Sequence, residues 1–282
     1  MSKSGEEKMR EYEKRLRETT ISTTRVSGSG KVNIPGMGEM RISGSGYVSP
    51  EEIRISGSGY LPGGIKVERI KCSGSVSIGG DIESVEAQFS GSASVAGSVN
   101  AKHLSASGSF RAEGHAKGES MRFSGSCRIR NEIKLEDSLI AHGSLTVLGN
   151  VTAQKLVELS GCFDIDGKLT TSTFKAELSR STSHIKNGIQ ADYVDVRKRE
   201  KVEGFVLFGI PIFGKRFREG KLSTTDIVGK EQVYLENVSC NNLTGKDITI
   251  GEGCEIKGKI RYSGTIEIHP TAKLSNTPEK VC

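Results

Sequence analysis

The chain has no tryptophan, and only nine phenylalanines and six tyrosines in 282 residues. So few wide rings cannot fill the core of an ordinary globular domain of this length. There is no run of about 18 apolar residues, so no stretch reads as a membrane-spanning helix. The first twenty residues, MSKSGEEKMREYEKRLRETT, lack the apolar stretch of a signal peptide, and the chain is expected to stay inside the cell. Six cysteines are spread without a C-x-x-C pair, which argues against a disulfide framework or zinc site and for reduced, partly buried thiols.

Glycine and serine, by contrast, number 35 each, a quarter of the chain together. Without a period that would read as a flexible linker. Ile, Val, Leu and Phe nevertheless supply about 24% of the residues at a net charge of only +6, too apolar for a disordered chain. Ile and Val outnumber Leu by 43 to 16, a bias towards strand.

The glycines do have a period. Ser-Gly-Ser begins at Ser56, Ser73, Ser90, Ser107 and Ser124, each 17 residues after the last, and drifts to HGS at His142 and SGC at Ser160. Two and four residues after each glycine stand Val76/Ile78, Ala93/Val95, Phe110/Ala112, Cys127/Ile129, Leu145/Val147 and Phe163/Ile165. Six after it the residue is Gly63, Gly80, Gly97, Gly114, Asn131, Gly149 or Gly167, and eight after it comes another apolar column from Ile65 to Leu169. Further apolar columns follow at thirteen (Ile70, Ala87, Leu104, Met121) and at fifteen or sixteen (Cys72, Phe89, Ala106, Phe123). An i, i+2 pair puts both side chains on one face of a strand. Three such pairs per repeat, with Gly or Asn at corners where a left-handed backbone is tolerated, predict a three-sided coil. A fixed short period is the mark of a solenoid.

The fold expected is therefore all-β, a three-sided parallel β-helix with coils of about 17 residues and a thin core of Ile, Val, Leu and Ala. One coil is expected over Ser181–Val196, and shorter, less regular coils upstream, started by Gly28 and Gly44. Downstream, the pairs Ile248/Ile250, Cys254/Ile256, Ile260/Tyr262, Ile266/Ile268 and Ala272/Leu274 step by six. The organisation reads as a charged tail (1–20), β-helix (21–196, regular from 57), an insertion (197–221), further coils (222–274) and a loose end (275–282).

The repeats, together with DIVGKEQVYLENVSC at 226–240 and DITIGEGCEIKGKI at 247–260, resemble the bactofilins, bacterial polymer-forming cytoskeletal proteins, in their longer Bacillus-type form. The likeness covers roughly residues 21–274. It implies a right-handed β-helix that assembles end to end into filaments without nucleotide. It also implies a scaffold for cell-shape, cell-wall or motility machinery, in the cytoplasm at the inner face of the membrane. The implied partners are further copies of the chain, a paralogous bactofilin, the membrane surface and cell-wall or motility proteins. This chain departs from the short bactofilins, which hold one compact helix between disordered tails.

No catalytic, cofactor or metal residue is assigned. A hexapeptide-repeat acyltransferase is the enzyme alternative, suggested by the six-residue step of 248–274. Such enzymes need a histidine base, and the five histidines here are scattered through the repeats. Asp164 and Asp166 share a face but stand alone, short of the paired carboxylates of a polysaccharide hydrolase. GSGKVNIPG at 28–36 lacks the phosphate-loop spacing. Nucleic acid is not expected, since the coils carry no aromatic stacking row. A monomeric protein-interaction scaffold with capped ends is the remaining alternative.

The segment RKREKVEGFVLFGIPIFGKRFREGK (197–221) breaks the rhythm and carries +5 of the net +6. An apolar tip (Phe205, Leu207, Phe208, Ile210, Phe213) lies between basic flanks (Arg197, Lys198, Arg199, Lys215, Arg216), the composition of a membrane or partner contact. The competing reading is a hairpin folded back on the solenoid, with Gly209-Ile210-Pro211 as its turn.

Overall fold

The computed structural model describes residues 23–34, 38–199, 206–207, 210–211 and 219–281. The chain divides into two units, residues 1–118 and 119–282. Both are β-solenoids, and no helix occurs among the described residues.

Unit 1 holds β1 (Thr24–Ile34), β2 (Gly38–Val48), β3 (Glu52–Leu61), β4 (Ile65–Ile78), β5 (Ile82–Val95), β6 (Val99–Ala112) and the start of β7 (Ala116–Ile129). From β3 to β6 the strands pair in parallel at a step of 17, with Gly57, Gly74, Gly91 and Gly108 opposite one another. Each long strand bends around the coil. In β4 the buried residues are Ile65/Val67 on side 1, Ile70/Cys72 on side 2 and Val76/Ile78 on side 3, as the i, i+2 pairs require.

The two glycine columns exist for different reasons. Gly74, Gly91 and Gly108 turn the corner between sides 2 and 3 at φ of 110–113°, where an L side chain is strained. A Cβ on Gly74 would also overlap the Gly57 carbonyl of the coil before it. Gly63, Gly80, Gly97 and Gly114, expected to need a left-handed backbone, have no positive φ. They are glycine for want of room: a Cβ on Gly63 would lie 2.7 Å from Gly80 Cα.

The core keeps its cross-section by compensation. The coil of β4 is lined by Ile, Val and Cys. In β5, Phe89 sits with Ser84, Ala87 and Ala93; in β6, Phe110 sits with Ala101, Ala106 and Ala112. Phe89 and Phe110, on different sides of successive coils, meet at a centroid distance of 5.5 Å. A second large residue in either coil would overpack it.

The coils expected at Gly28 and Gly44 are not coils. β1 pairs antiparallel with β2 (Gly28 opposite Gly44), and β2 antiparallel with β3 (Gly44 opposite Gly57). Gly44 and Gly57 are only 13 residues apart, too few to travel three sides. The chain turns back instead at Ser49–Glu52, where the Ser49 N–H donates to Glu52 O at 2.9 Å and the Glu52 N–H to Ser49 Oγ at 3.0 Å. The buried Glu52 carboxylate pairs with Arg54 at 2.7 Å, which holds it below the usual carboxylate range. The result is a two-sided meander on the first full coil.

Unit 2 holds the rest of β7, then β8 (Ile133–Val147), β9 (Val151–Ala153), β10 (Leu156–Ile165), β11 (Leu169–Thr170), β12 (Thr173–Leu178), β13 (Thr182–Ile185) and β14 (Ile189–Lys198). Next come β15 (Val206–Leu207), β16 (Ile210–Pro211), β17 (Lys221–Thr224), β18 (Asp226–Leu235), β19 (Val238–Cys240) and β20 (Asn242–Ile250). The unit closes with β21 (Glu255–Ile256), β22 (Ile260–Tyr262), β23 (Ile266–Ile268), β24 (Lys273–Leu274) and β25 (Glu279–Lys280). Apart from that of β15 with β16, the ladders from β8 onwards among the described residues are parallel, but the step varies. Gly143 faces Gly161, Thr173 faces Tyr193, Leu222 faces Val238 and Ile248 faces Ile266. The inward pairs stay in line because the extra residues bulge at corners, as at Lys230–Glu231, where the β18–β20 register shifts.

Two expected boundaries move. Arg197 and Lys198 belong to β14 and Lys221 to β17, so the insertion is the shorter stretch 199–220. Within the stretch 275–282, expected to trail loosely, residues 279–281 return to the stack: β25 pairs with β22, and the Val281 N–H donates to Tyr262 O at 2.8 Å.

Candidate functional site

The insertion leaves from the corner between sides 2 and 3, after β14 has completed side 2 beside β12. The Arg199 N–H donates to Leu178 O at 3.2 Å, and the returning Gly220 lies against the same turn, where a Cβ would overlap the Ser179 carbonyl. Asn237, the one non-glycine at positive φ (53°) among the described residues, donates Nδ2 to Gly220 O at 3.2 Å. Both legs therefore stand on a fixed base.

The three basic residues of the outgoing leg are held by carboxylates of the solenoid. Arg197 pairs with Asp195 at 2.7 Å and lies 4.7 Å over the Tyr234 ring. Lys198 donates its backbone N–H to Glu236 at 3.0 Å and its ammonium to Glu252. Arg199 lies 3.4 Å from Glu177. On the returning leg Lys221 pairs with Glu255 at 3.2 Å. The Glu252 carboxylate holds the Lys198 ammonium above its ordinary pKa, and Lys221 holds Glu255 below its own. Of the expected apolar tip, Leu207 and Ile210 pair across a small antiparallel ladder, β15 with β16. Phe205, Phe208, Phe213, Lys215 and Arg216 lie outside the described residues.

A second feature was read from sequence only as core. Ile248, Ile250, Cys254, Ile256 and Ile260 are buried. The columns of Ile248, Ile250, Cys254 and Ile256 are open one coil later: Ile268 is 43% exposed, and Ile266, Ala272 and Leu274 are half-buried. No further strand covers β23 or β24 among the described residues. Among the described residues, β23 and β24 thus combine unpaired strand edges with exposed apolar side chains. The columns predicted that these residues point inward, but not that they would be exposed among the described residues.

Other reactive groups are engaged locally. His184 Nδ1 lies 2.9 Å from Asp164, Asp166 pairs with Lys186 at 2.6 Å, and His142 Nδ1 lies 2.7 Å from Ser160 Oγ. Cys72, Cys127, Cys240 and Cys254 are buried free thiols, and Cys162 is half-buried. Burial pushes the Cys72 and Cys240 thiols up to about 12 and Cys254 to about 11. No three His, Cys, Asp or Glu side chains are grouped to hold a metal ion among the described residues.

The architecture is that of a β-solenoid with three-sided parallel coils. Comparison adds little beyond that class. No family model and no solved structure matches the chain. It is 30% identical over 108 residues to a protein of Bacillus subtilis (strain 168) described only as "Uncharacterized protein YhbF". The match covers 38% of this chain and 40% of that relative.

Proposed function

We propose that this chain is a structural protein that assembles end to end into filaments without nucleotide. The observation that carries the reading is the open carboxy-terminal end, with exposed Ile268 and half-buried Ile266, Ala272 and Leu274 beside unpaired strand edges. An exposed edge is a template for another strand, and burying these side chains against a second copy supplies a driving force of about 25 cal/mol per Å2. The bactofilin resemblance extends the reading to a cytoplasmic scaffold for cell-shape, wall or motility machinery. Negative-stain microscopy tests it. Filaments of wild-type protein that vanish in Ile268→Asp, with the melting temperature nearly unchanged, support the reading. Discrete particles at every concentration, with or without the substitution, refute it.

The insertion supplies the membrane part of this reading. Arg197, Lys198 and Arg199 are occupied by carboxylates, so contact with anionic lipid rests on Lys215, Arg216 and the phenylalanines. Co-sedimentation with anionic vesicles should weaken with salt and disappear in Phe208→Ser/Phe213→Ser. Vesicle binding that survives both treatments assigns the contact elsewhere.

A further inference from the structure

At the corner between sides 3 and 1, the last residue before the new strand can cap the coil that follows. The Ser98 N–H donates to Asp81 Oδ1 at 2.6 Å, the His115 N–H to Ser98 Oγ at 3.2 Å and the Lys168 N–H to Asn150 Oδ1 at 2.9 Å. A side-chain oxygen there takes up a backbone donor that the ladder leaves over. The next step breaks the series. Leu169 stands opposite Ile189, so Gly188 follows Lys168 at this corner. Lysine has no acceptor to offer, and its ammonium donates instead to Gln190 Oε1 at 2.6 Å. The Gly188 carbonyl accepts from the Leu169 N–H at 3.0 Å, but among the described residues the N–H of the buried Gly188 has no acceptor.

Asn187 stands immediately before this glycine, and the two form the one Asn-Gly pair of the chain. The Asn187 backbone N–H donates to Gly167 O at 3.3 Å, while its side chain is exposed and makes no hydrogen bond among the described residues. Glycine at 188 is dictated by the corner: φ is 89°, and a Cβ would lie 2.9 Å from Asp226 O.

We infer that Asn187 is a site of spontaneous deamidation, driven by the uncapped nitrogen of Gly188. That nitrogen attacks Asn187 Cγ. The new N–Cγ bond closes a succinimide, the Cγ–Nδ2 bond breaks, and ammonia leaves with the proton that Gly188 gives up. Solvent water then opens the ring at either carbonyl, leaving aspartate or isoaspartate at position 187. Glycine has no Cβ to obstruct the ring as it closes. Isoaspartate routes the main chain through the former side-chain carbon and so adds one backbone atom to the corner. β14 begins two residues on, buries Ile189 and Ala191, and ends on Arg197 and Lys198 at the base of the insertion. The modification therefore loosens the coil from which the insertion leaves.

The test incubates the full chain in mildly alkaline buffer and follows each asparagine by peptide mapping. The mass gain of amide-to-acid conversion and enzymatic methylation of isoaspartate are separate readouts. Asn131 is the internal comparison, since it occupies the same corner column but precedes Glu132. Asn187 should convert well ahead of Asn131, and faster as pH rises, because the attacking nitrogen must lose its proton. Lys168→Asn tests the cause. It places at an exposed position the oxygen that Asn150 supplies one coil earlier, and it should slow conversion of Asn187 severalfold in the folded chain but not in urea. Hydrogen exchange in β14 should quicken in aged wild type and stay unchanged in aged Asn187→Gln. Retention of the Asn187 amide while Asn131 converts, or equal rates in folded wild type and Lys168→Asn, overturns the assignment. Unchanged exchange in β14 after conversion overturns the loosening of the coil.

Discussion

The amino-terminal end of unit 1 and the carboxy-terminal end of unit 2 finish a solenoid in opposite ways. At the first, the chain gives up the three-sided path and folds back as β1–β2–β3, with the buried Glu52 locked to Arg54 at the second turn. At the second, the coil keeps its path to the last strand and exposes residues that are buried one coil earlier. Leaving Ile268 half in water forgoes part of the roughly 1.5–3 kcal/mol that full burial of such a side chain provides. In the end-to-end assembly proposed above, contact with another copy would recover the difference at each junction.

The sharpest way to probe the contrast places the same change inside and at the end. Ile133→Asp or Val147→Asp puts an unpaired carboxylate into a fully buried column and should cost about 3 kcal/mol or more. Ile268→Asp, already 43% exposed, should cost the isolated molecule about 1 kcal/mol or less. Equal losses in thermal melts would mean that the end is covered.

Corner glycines offer a second probe. Gly108→Ala combines φ of 111° with overlap on the Gly91 carbonyl and should cost about 3 kcal/mol. Gly28→Ala, at φ 88° with nothing within 4 Å of the added carbon, should cost only the backbone strain, about 1–2 kcal/mol. Chemical denaturation of both variants measures the difference, and a Gly28→Ala loss as large as that of Gly108→Ala would place a neighbour against β1.

The buried thiols set a pH dependence. Cys72 and Cys240 are raised from 9.0 to about 12 in the folded chain and return to ordinary values on unfolding. Their contribution is complete below pH 9 and is lost as pH rises towards 12, because the unfolded state then releases the protons first. Stability should fall by about 1.4 kcal/mol per pH unit per thiol above pH 9. A Cys72→Ala/Cys240→Ala variant should show a shallower decline. Identical alkaline slopes in the two proteins would contradict the burial assigned to these residues. The smallest effect belongs to the outer surface: Lys134→Asp, beside Ile133 but facing solvent, should change stability by about 0.5 kcal/mol or less. A loss comparable to that of Ile133→Asp would invert the in/out register.

Much of this was legible because a coil repeats its chemistry. The pairs Val76/Ile78 and Ile65/Val67, and the step of 17 from Gly57, carry the three-sided cross-section into the sequence. Direction was not legible from them, because Ser-Gly-Ser reads the same both ways and its glycine can stack on either a parallel or an antiparallel neighbour. The turn signals were present at Pro35-Gly36 and Ser49-Pro50, but the glycine columns outweighed them. The base of the insertion was hidden for another reason. The partners of Lys198 lie at Glu236 and Glu252, in coils that follow the insertion, where no local pattern reaches. The open end was hidden too, since an inward column looks the same whether or not another coil covers it.

The proposed end-to-end assembly requires that β23, β24 and β25 complete their pairing against another copy. Hydrogen exchange at the backbone amides of Ile266–Ile268, Lys273–Leu274 and Glu279–Lys280 measures this directly, in wild-type assemblies and in Ile268→Asp. The account predicts slow exchange in the assemblies and fast exchange in Ile268→Asp, while β4 to β6 stay protected in both. Fast exchange of these three strands in wild-type assemblies, or equal protection in both proteins, would contradict it.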